Sequence, residues 1–179
     1  MAHGPNDRGA TGSDGAAGLP DWAREPVLLG CHGGAGTTTL RVLLRTPWEL
    51  GAFSVERSEI DTFGRPLVLV ARDSVAAAAR AADVAGHVAA SGTVIAALAV
   101  VADGSGSEPR VAADLLSRAG RRAGALVRVP FVAGLRHADA GEADRVRLPK
   151  KAQQALAGIT AACDRAAAAP PAPQSSNPR

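Results

Sequence analysis

Four nearly continuous apolar runs, each followed by a stretch with helical spacing, limit what this chain can fold into more than any other feature. They are "PVLLG" (26–30), "PLVLVA" (66–71), "TVIAALAVVA" (93–102) and "ALVRVPF" (125–131). A strand with one wet face alternates apolar and polar residues, whereas a strand covered on both faces is apolar throughout. Runs of the second kind, alternating with helices, imply parallel strands in an α/β fold.

The intervening stretches carry the helix signals. "TTTLRVLLRT" places Leu40, Leu43 and Leu44 on a face suited to burial. "DSVAAAARAADVAGHVAASG" offers Asp73 or Ser74 as the cap of a long alanine-rich helix. "PRVAADLLSRAGRRAG" reads as a third helix, and "LPKKAQQALAGITAACDRA" as a last one with Leu148, Ala152, Ala155, Leu156, Ile159 and Cys163 along one face. The expected architecture is a three-layer α/β sandwich: a mainly parallel sheet of about four to five strands with helices on both faces.

One domain over 25–166 accommodates this pattern. Residues 1–24, rich in Gly, Asp and Ala without sustained periodicity, are expected to be a disordered tail, as is the Pro-rich segment 167–179. The apolar fraction of 46% is enough to fill a core, yet aromatics are only 3% and there is no Tyr. The interior must therefore be built from Ala, Val and Leu, whose small side chains permit close helix-to-sheet packing but contribute less burial each.

Charge excludes little by itself. Twenty cationic residues against 17 anionic ones are close to balance, so nucleic acid is an unfavoured partner. The clusters at Arg118–Arg122 and Arg145–Lys151 lack interleaved aromatics and read as solvated surface. Cys31 and Cys163 form neither a disulfide framework nor a metal site, so reduced, buried thiols are expected. His87 and His137 have no partners at metal-ligand spacing. No apolar run approaches the ~18 residues of a membrane span, so no membrane insertion is expected and a cytoplasmic location is.

Parallel α/β sheets hold ligands beyond the carboxyl ends of their strands, which directs attention to the loops after Leu29, Ala71, Ala102 and Val129. The first is "CHGGAGTTTL" (31–40). Glycines at Gly33, Gly34 and Gly36 let backbone N–H groups turn around an anion, with a helix start behind them. Compared with the phosphate-loop pattern G-x-x-x-x-G-K-[ST], Gly36 and Thr38 agree, Cys31 stands at the first glycine and Thr37 at the lysine. The candidate phosphate-binding set is His32, Gly33, Gly34, Ala35, Gly36, Thr37, Thr38 and Thr39, with Thr38 the hydroxyl for magnesium.

The loop resembles that of the ParA/MinD group of P-loop ATPases, K-G-G-x-G-K-T-T. In that group the first lysine reaches a partner's nucleotide and the second holds phosphates; here the positions are His32 and Thr37. A neutral threonine cannot neutralise charge on a transferring phosphoryl group. The group also has a strand ending in an aspartate before the second apolar run, and in the corresponding gap "PWELGAFSVERSEIDTFGR" Asp61 is the one aspartate. The resemblance is closer still to a family of bacterial proteins of unknown function with H-G-G-A-G-x-[ST]-T-L, V-L-V-x-R, V-V-A-D-x-x-G-x-x-P-R and a Pro-aromatic step, over roughly 26–148; Phe131 stands where that family has tryptophan.

The resemblance implies a shortened P-loop fold, ATP or ADP with Mg as the ligand class, and Asp103, Pro130 and Phe131 as candidate base or ribose contacts. No catalytic residue is assigned. The expected function is a non-hydrolysing nucleotide- or phosphate-binding protein acting as a regulatory or assembly component, with a protein partner or a homodimer as its company. An ATPase completed by a partner subunit and an interaction module with a vestigial loop are the alternatives. At the second strand end, Arg72 and Asp73 are either a local ion pair or contacts to phosphate or a partner.

Overall fold

A computed structural model describes residues 21–56 and 60–169. Five strands form one all-parallel sheet in the order β2-β1-β3-β4-β5. They are β1 (Val27–Gly30), β2 (Glu49–Ala52), β3 (Leu67–Arg72), β4 (Ile95–Val101) and β5 (Leu126–Val129). The helices are α1 (Thr37–Leu43), α2 (Val75–Ala90), α3 (Arg110–Gly120), α4 (Ala133–His137) and α5 (Lys150–Ala168). The three-layer α/β expectation holds, and each of the four apolar runs contains a strand.

The two faces of the sheet sort the helices. Leu67, Leu69 and Ala71 point to one side with Leu98 and Val100, where Ala78, Ala81, Ala85 and Val88 of α2 and Ala112 and Leu116 of α3 cover them. Leu28, Val68, Val70, Ala97 and Ala99 point to the other side and meet Leu40 of α1 and Ala155, Ile159 and Cys163 of α5. Right-handed crossovers explain the division. The step from β1 to β2 runs opposite in direction to the steps from β3 to β5, so its helix must lie on the opposite face.

β2 is a strand that apolar patterning does not reveal. "ELGA" is short, contains a glycine at φ 73°, and lies at the sheet edge with an exposed carboxyl end. Its place is pinned from outside: Leu28 N donates to Trp48 O (3.1 Å) and Phe53 N to Gly30 O (2.7 Å). The buried Thr46 hydroxyl donates to Pro26 O at 2.7 Å, and the Trp48 indole donates to Glu25 Oε2 at 2.9 Å.

The domain edges also differ from expectation. Asp21–Arg24, within the expected tail, forms a 3-10 helix that packs on α5 and buries Ala23. α5 itself continues to Ala168. The rest of the segments expected to be disordered lies outside the described residues. Of the two proposed caps for α2, Ser74 is the one used, accepting from Ala77 N. No helix among the described residues is long and apolar enough to cross a membrane.

Cys31 and Cys163 are both free and buried. Burial raises each thiol from 9.0 to about 12, with Asp164 adding to the effect at Cys163. Such thiols are protonated and unreactive near neutrality. Above pH 9 the unfolded chain releases protons that the native chain keeps, so stability is complete below pH 9 and declines toward 12. The slope is about 1.4 kcal/mol per pH unit for each thiol. Urea unfolding at pH 8 and pH 10 checks this: Cys163→Ala is expected to lose about half of the thiol-dependent decline, and native protein at pH 8 to resist iodoacetamide at both positions.

Candidate functional site

The order 2-1-3-4-5 is a doubly wound arrangement whose direction reverses between β1 and β3, and a crevice opens beyond the carboxyl ends at such a reversal. Two loops flank that point here. Residues 31–36 follow β1, and Arg72–Ser74 follow β3. The pairing of β1 with β3 therefore places the glycine loop and Arg72 side by side.

Residues 31–36 leave β1 and enter α1 at Gly36, whose φ of 94° belongs to the left-handed region that favours glycine. Gly36 is the N-cap and no side chain caps the helix. Ala35 and Cys31 anchor the loop in the core, whereas Gly33 and Gly34 are exposed. At the other end, α1 lies so close to β1 that a Cβ on Gly30 would stand 2.7 Å from Thr37 Oγ1. Thr37, at the position of the phosphate-loop lysine, is buried and directed back to the strand.

The other loop side chains also have partners. His32 Nδ1 lies 2.8 Å from Gly33 O, and Nε2 lies 3.2 Å from Arg72 N. A backbone N–H can only donate, which assigns Nε2 as the acceptor and puts the ring proton on Nδ1. His32 therefore ties the β1 loop to the end of β3 as a neutral ring. Thr38 Oγ1 donates to Glu49 Oε1 at 3.0 Å, and Glu49 Oε2 is paired with Arg41 Nε at 3.2 Å.

Arg72 is the residue that joins the expected set together. Its Nε donates to Gly34 O at 3.1 Å and its Nη1 to Ala102 O at 3.3 Å. Asp103 Oδ1 lies 3.9 Å away, an exposed and weak pairing. Asp73 does not pair with Arg72; it accepts from the Asp103 backbone N–H at 2.9 Å, linking the ends of β3 and β4.

Two clefts meet at Arg72. One, of about 290 Å³, runs over the glycine loop from His32 to Thr39 and reaches Glu49 and Gly51. The other is a cavity of about 130 Å³ between α1 and the ends of β4 and β5. Its walls are largely apolar, with Leu40, Leu43, Val101 and Phe131, and its rim carries Asp103 and Arg136. Arg136 lies over the Phe131 ring at 5.7 Å, a cation–π distance.

The structure thus gathers His32 through Thr39 with Asp103, Pro130 and Phe131 at one edge of the sheet. Glu49 and Arg136 were not singled out in the sequence, whereas Arg41, one turn after Thr37, was a cation that could be recruited to the loop; it pairs with Glu49 instead. Glu49 is 11 positions from Thr38 on a strand without an apolar signature, and no local spacing announces the contact. Asp61, the acid considered in the gap before β3, lies outside the strands and accepts from Phe63 N at 2.7 Å. His87 stands edge-on to Phe53, with ring centroids 5.1 Å apart, and His137 is exposed at the end of α4.

Magnesium takes hard oxygen ligands and commonly combines one or two carboxylates with phosphate oxygens. Thr38 and Glu49 supply one hydroxyl and one carboxylate side by side, a donor pair that suits a magnesium-bound phosphate. Comparison with models of known protein families, with curated proteins and with solved structures gives no match to this chain.

The contact between Thr37 and Gly30 is directly testable. Gly30→Ala is expected to destabilise the fold by roughly 1–3 kcal/mol through overpacking. Thr37→Ala in the same background is expected to recover part of this loss, because His32 O and Gly51 O still lie 3.2 and 3.3 Å from the added Cβ. Chemical denaturation of the four members of the cycle measures the coupling; additive effects would mean that the two positions do not meet.

Proposed function

We propose that this protein binds a phosphate-bearing ligand of nucleotide type at the carboxyl edge of its sheet and does not hydrolyse it, serving as a regulatory or assembly component. The observation that carries this reading is the pair of clefts meeting at Arg72. One has a glycine-rich floor beside threonine hydroxyls, Glu49 and the Arg72 guanidinium; the other is mainly apolar and is lined by Phe131 and Pro130. A nucleotide has the same division, with an anionic end and a flat apolar base.

The chain's own groups divide the work. Backbone N–H groups of the open glycine loop and the Arg72 guanidinium serve the phosphates. Phe131 and Pro130 serve the base, and Asp103 on the rim serves ribose hydroxyls. Thr38 with Glu49 would hold magnesium, whose chemistry there is to neutralise phosphate charge. The resemblance of the loop to the ParA/MinD pattern supports the same ligand class.

The residues present also argue against phosphoryl transfer. Stabilising a transferring phosphoryl group needs preorganised positive charge at its oxygens. Thr37 brings none and packs against Gly30.

Calorimetry with ATP, ADP, GTP and GDP, each with and without magnesium, tests the reading. Binding in the micromolar-to-millimolar range, about 4–8 kcal/mol, is expected for at least one nucleotide, with phosphate release no faster than in a protein-free control. Absence of heat together with an unchanged unfolding midpoint for all four would end the proposal. Turnover that rises steeply with protein concentration and disappears in Thr38→Ala would replace it with the subunit-completed ATPase.

A further inference from the structure

We infer that Arg72, reaching across from the end of β3, supplies the positive charge that the glycine loop lacks at Thr37, and so selects ligands with a di- or triphosphate over those with a single phosphate. This rests on the phosphate-binding reading above and adds the ligand charge that the reading leaves open.

Arg41 is paired with Glu49, and Arg136 lies over Phe131 on the far side of the apolar cavity. His32 accepts from Arg72 N at Nε2, a bond that an imidazolium could not accept. Among the described residues, Arg72 is then the one permanently charged cation lining the glycine-loop cleft.

Its donors are partly committed. Nε holds Gly34 O and Nη1 holds Ala102 O. Nη2 lies 3.8 Å from where a Gly36 Cβ would stand, which places it beside the glycine loop. The two carbonyl bonds orient the planar fork before any ligand arrives, which reduces the ordering cost of binding. Asp103 offsets only a small part of the charge: at 3.9 Å, with its side chain 66% exposed, it is largely but not wholly screened by water.

The geometry also explains how the function of a loop lysine can move to another strand. A lysine at position 37 would extend from α1 over the loop. Arg72 reaches the same loop from β3, the strand paired with β1, where Gly30 is in register with Val70. A guanidinium offers a planar fork rather than a point charge, which matches two oxygens of adjacent phosphates.

Titration calorimetry with inorganic pyrophosphate, ADP and AMP, on the full chain and on R72K, R72Q and D103N, tests the inference. The natural protein is expected to prefer pyrophosphate and ADP to AMP. R72Q is expected to weaken pyrophosphate and ADP by roughly 10- to 100-fold, the scale of a charged hydrogen bond, and to lose the preference over AMP. R72K should retain part of the affinity. D103N should strengthen pyrophosphate binding by roughly two- to fivefold, the scale of an exposed ion pair.

The outcomes are separable. If the natural protein binds none of the three, the phosphate-binding reading fails and this inference fails with it. If the natural protein binds and R72Q binds equally well, the assignment to Arg72 alone is overturned. Should circular dichroism show R72Q unfolded, D103N decides: pyrophosphate has neither ribose nor base for Asp103 to touch, so tighter binding supports the charge assignment and unchanged or weaker binding overturns it.

Discussion

Complete burial of the central strands on both faces is the constraint from which the rest of this molecule follows. From Leu67 to Ala71 and from Ile95 to Val100 no side chain has a polar atom, and all are nearly inaccessible to water. Two helical layers must cover such strands, and the alanines of α2, α3 and α5 let the helices approach closely. A polar side chain can enter only where a strand emerges. Arg72 is the first charged residue of β3 after its buried run, and Asp103 follows just beyond β4. The same requirement that makes the core dry therefore concentrates chemistry at the carboxyl edge.

Within that edge, small hydrogen bonds do the joining. Three chain segments meet there, and each is tied to another by a bond of long sequence separation: His32 to Arg72, Arg72 to Gly34 and Ala102, and Asp73 to Asp103. A buried polar group without a partner costs about 1–3 kcal/mol. This network instead pairs backbone carbonyls that the loops leave free. Its cation is thereby held in place by neutral acceptors, and its charge remains available to the clefts.

Much of this arrangement was legible in the residues, for definite reasons. The apolar runs declare β1, β3, β4 and β5 because strands buried on both faces cannot carry polar residues. The glycines at 33, 34 and 36 declare a loop because Gly34 and Gly36 occupy left-handed conformations. β2 was not legible, because Glu49–Ala52 is held by backbone pairing and by anchors at Thr46, Trp48 and Phe53 rather than by its own side chains. The bridge from Arg72 to the loop was not among the options for that residue, which were a local pair with Asp73 or a contact to phosphate or a partner. Seeing it requires knowing that β1 and β3 are neighbours, which depends on where β2 goes. Glu49 was hidden for the same reason.

The strand order has a consequence for how the chain assembles. From β3 to β5, each strand pairs with the next along the chain, through α2 and α3. β1, α1 and β2 form a second local unit, joined to the first in the sheet through the β1–β3 pairing and in the core through Leu28, Leu29 and Leu40. The clefts lie across that seam, with the glycine loop on one unit and Arg72 on the other. A molecule that spanned both would fasten one unit to the other, so any bonds that held it would also oppose partial opening of the sheet.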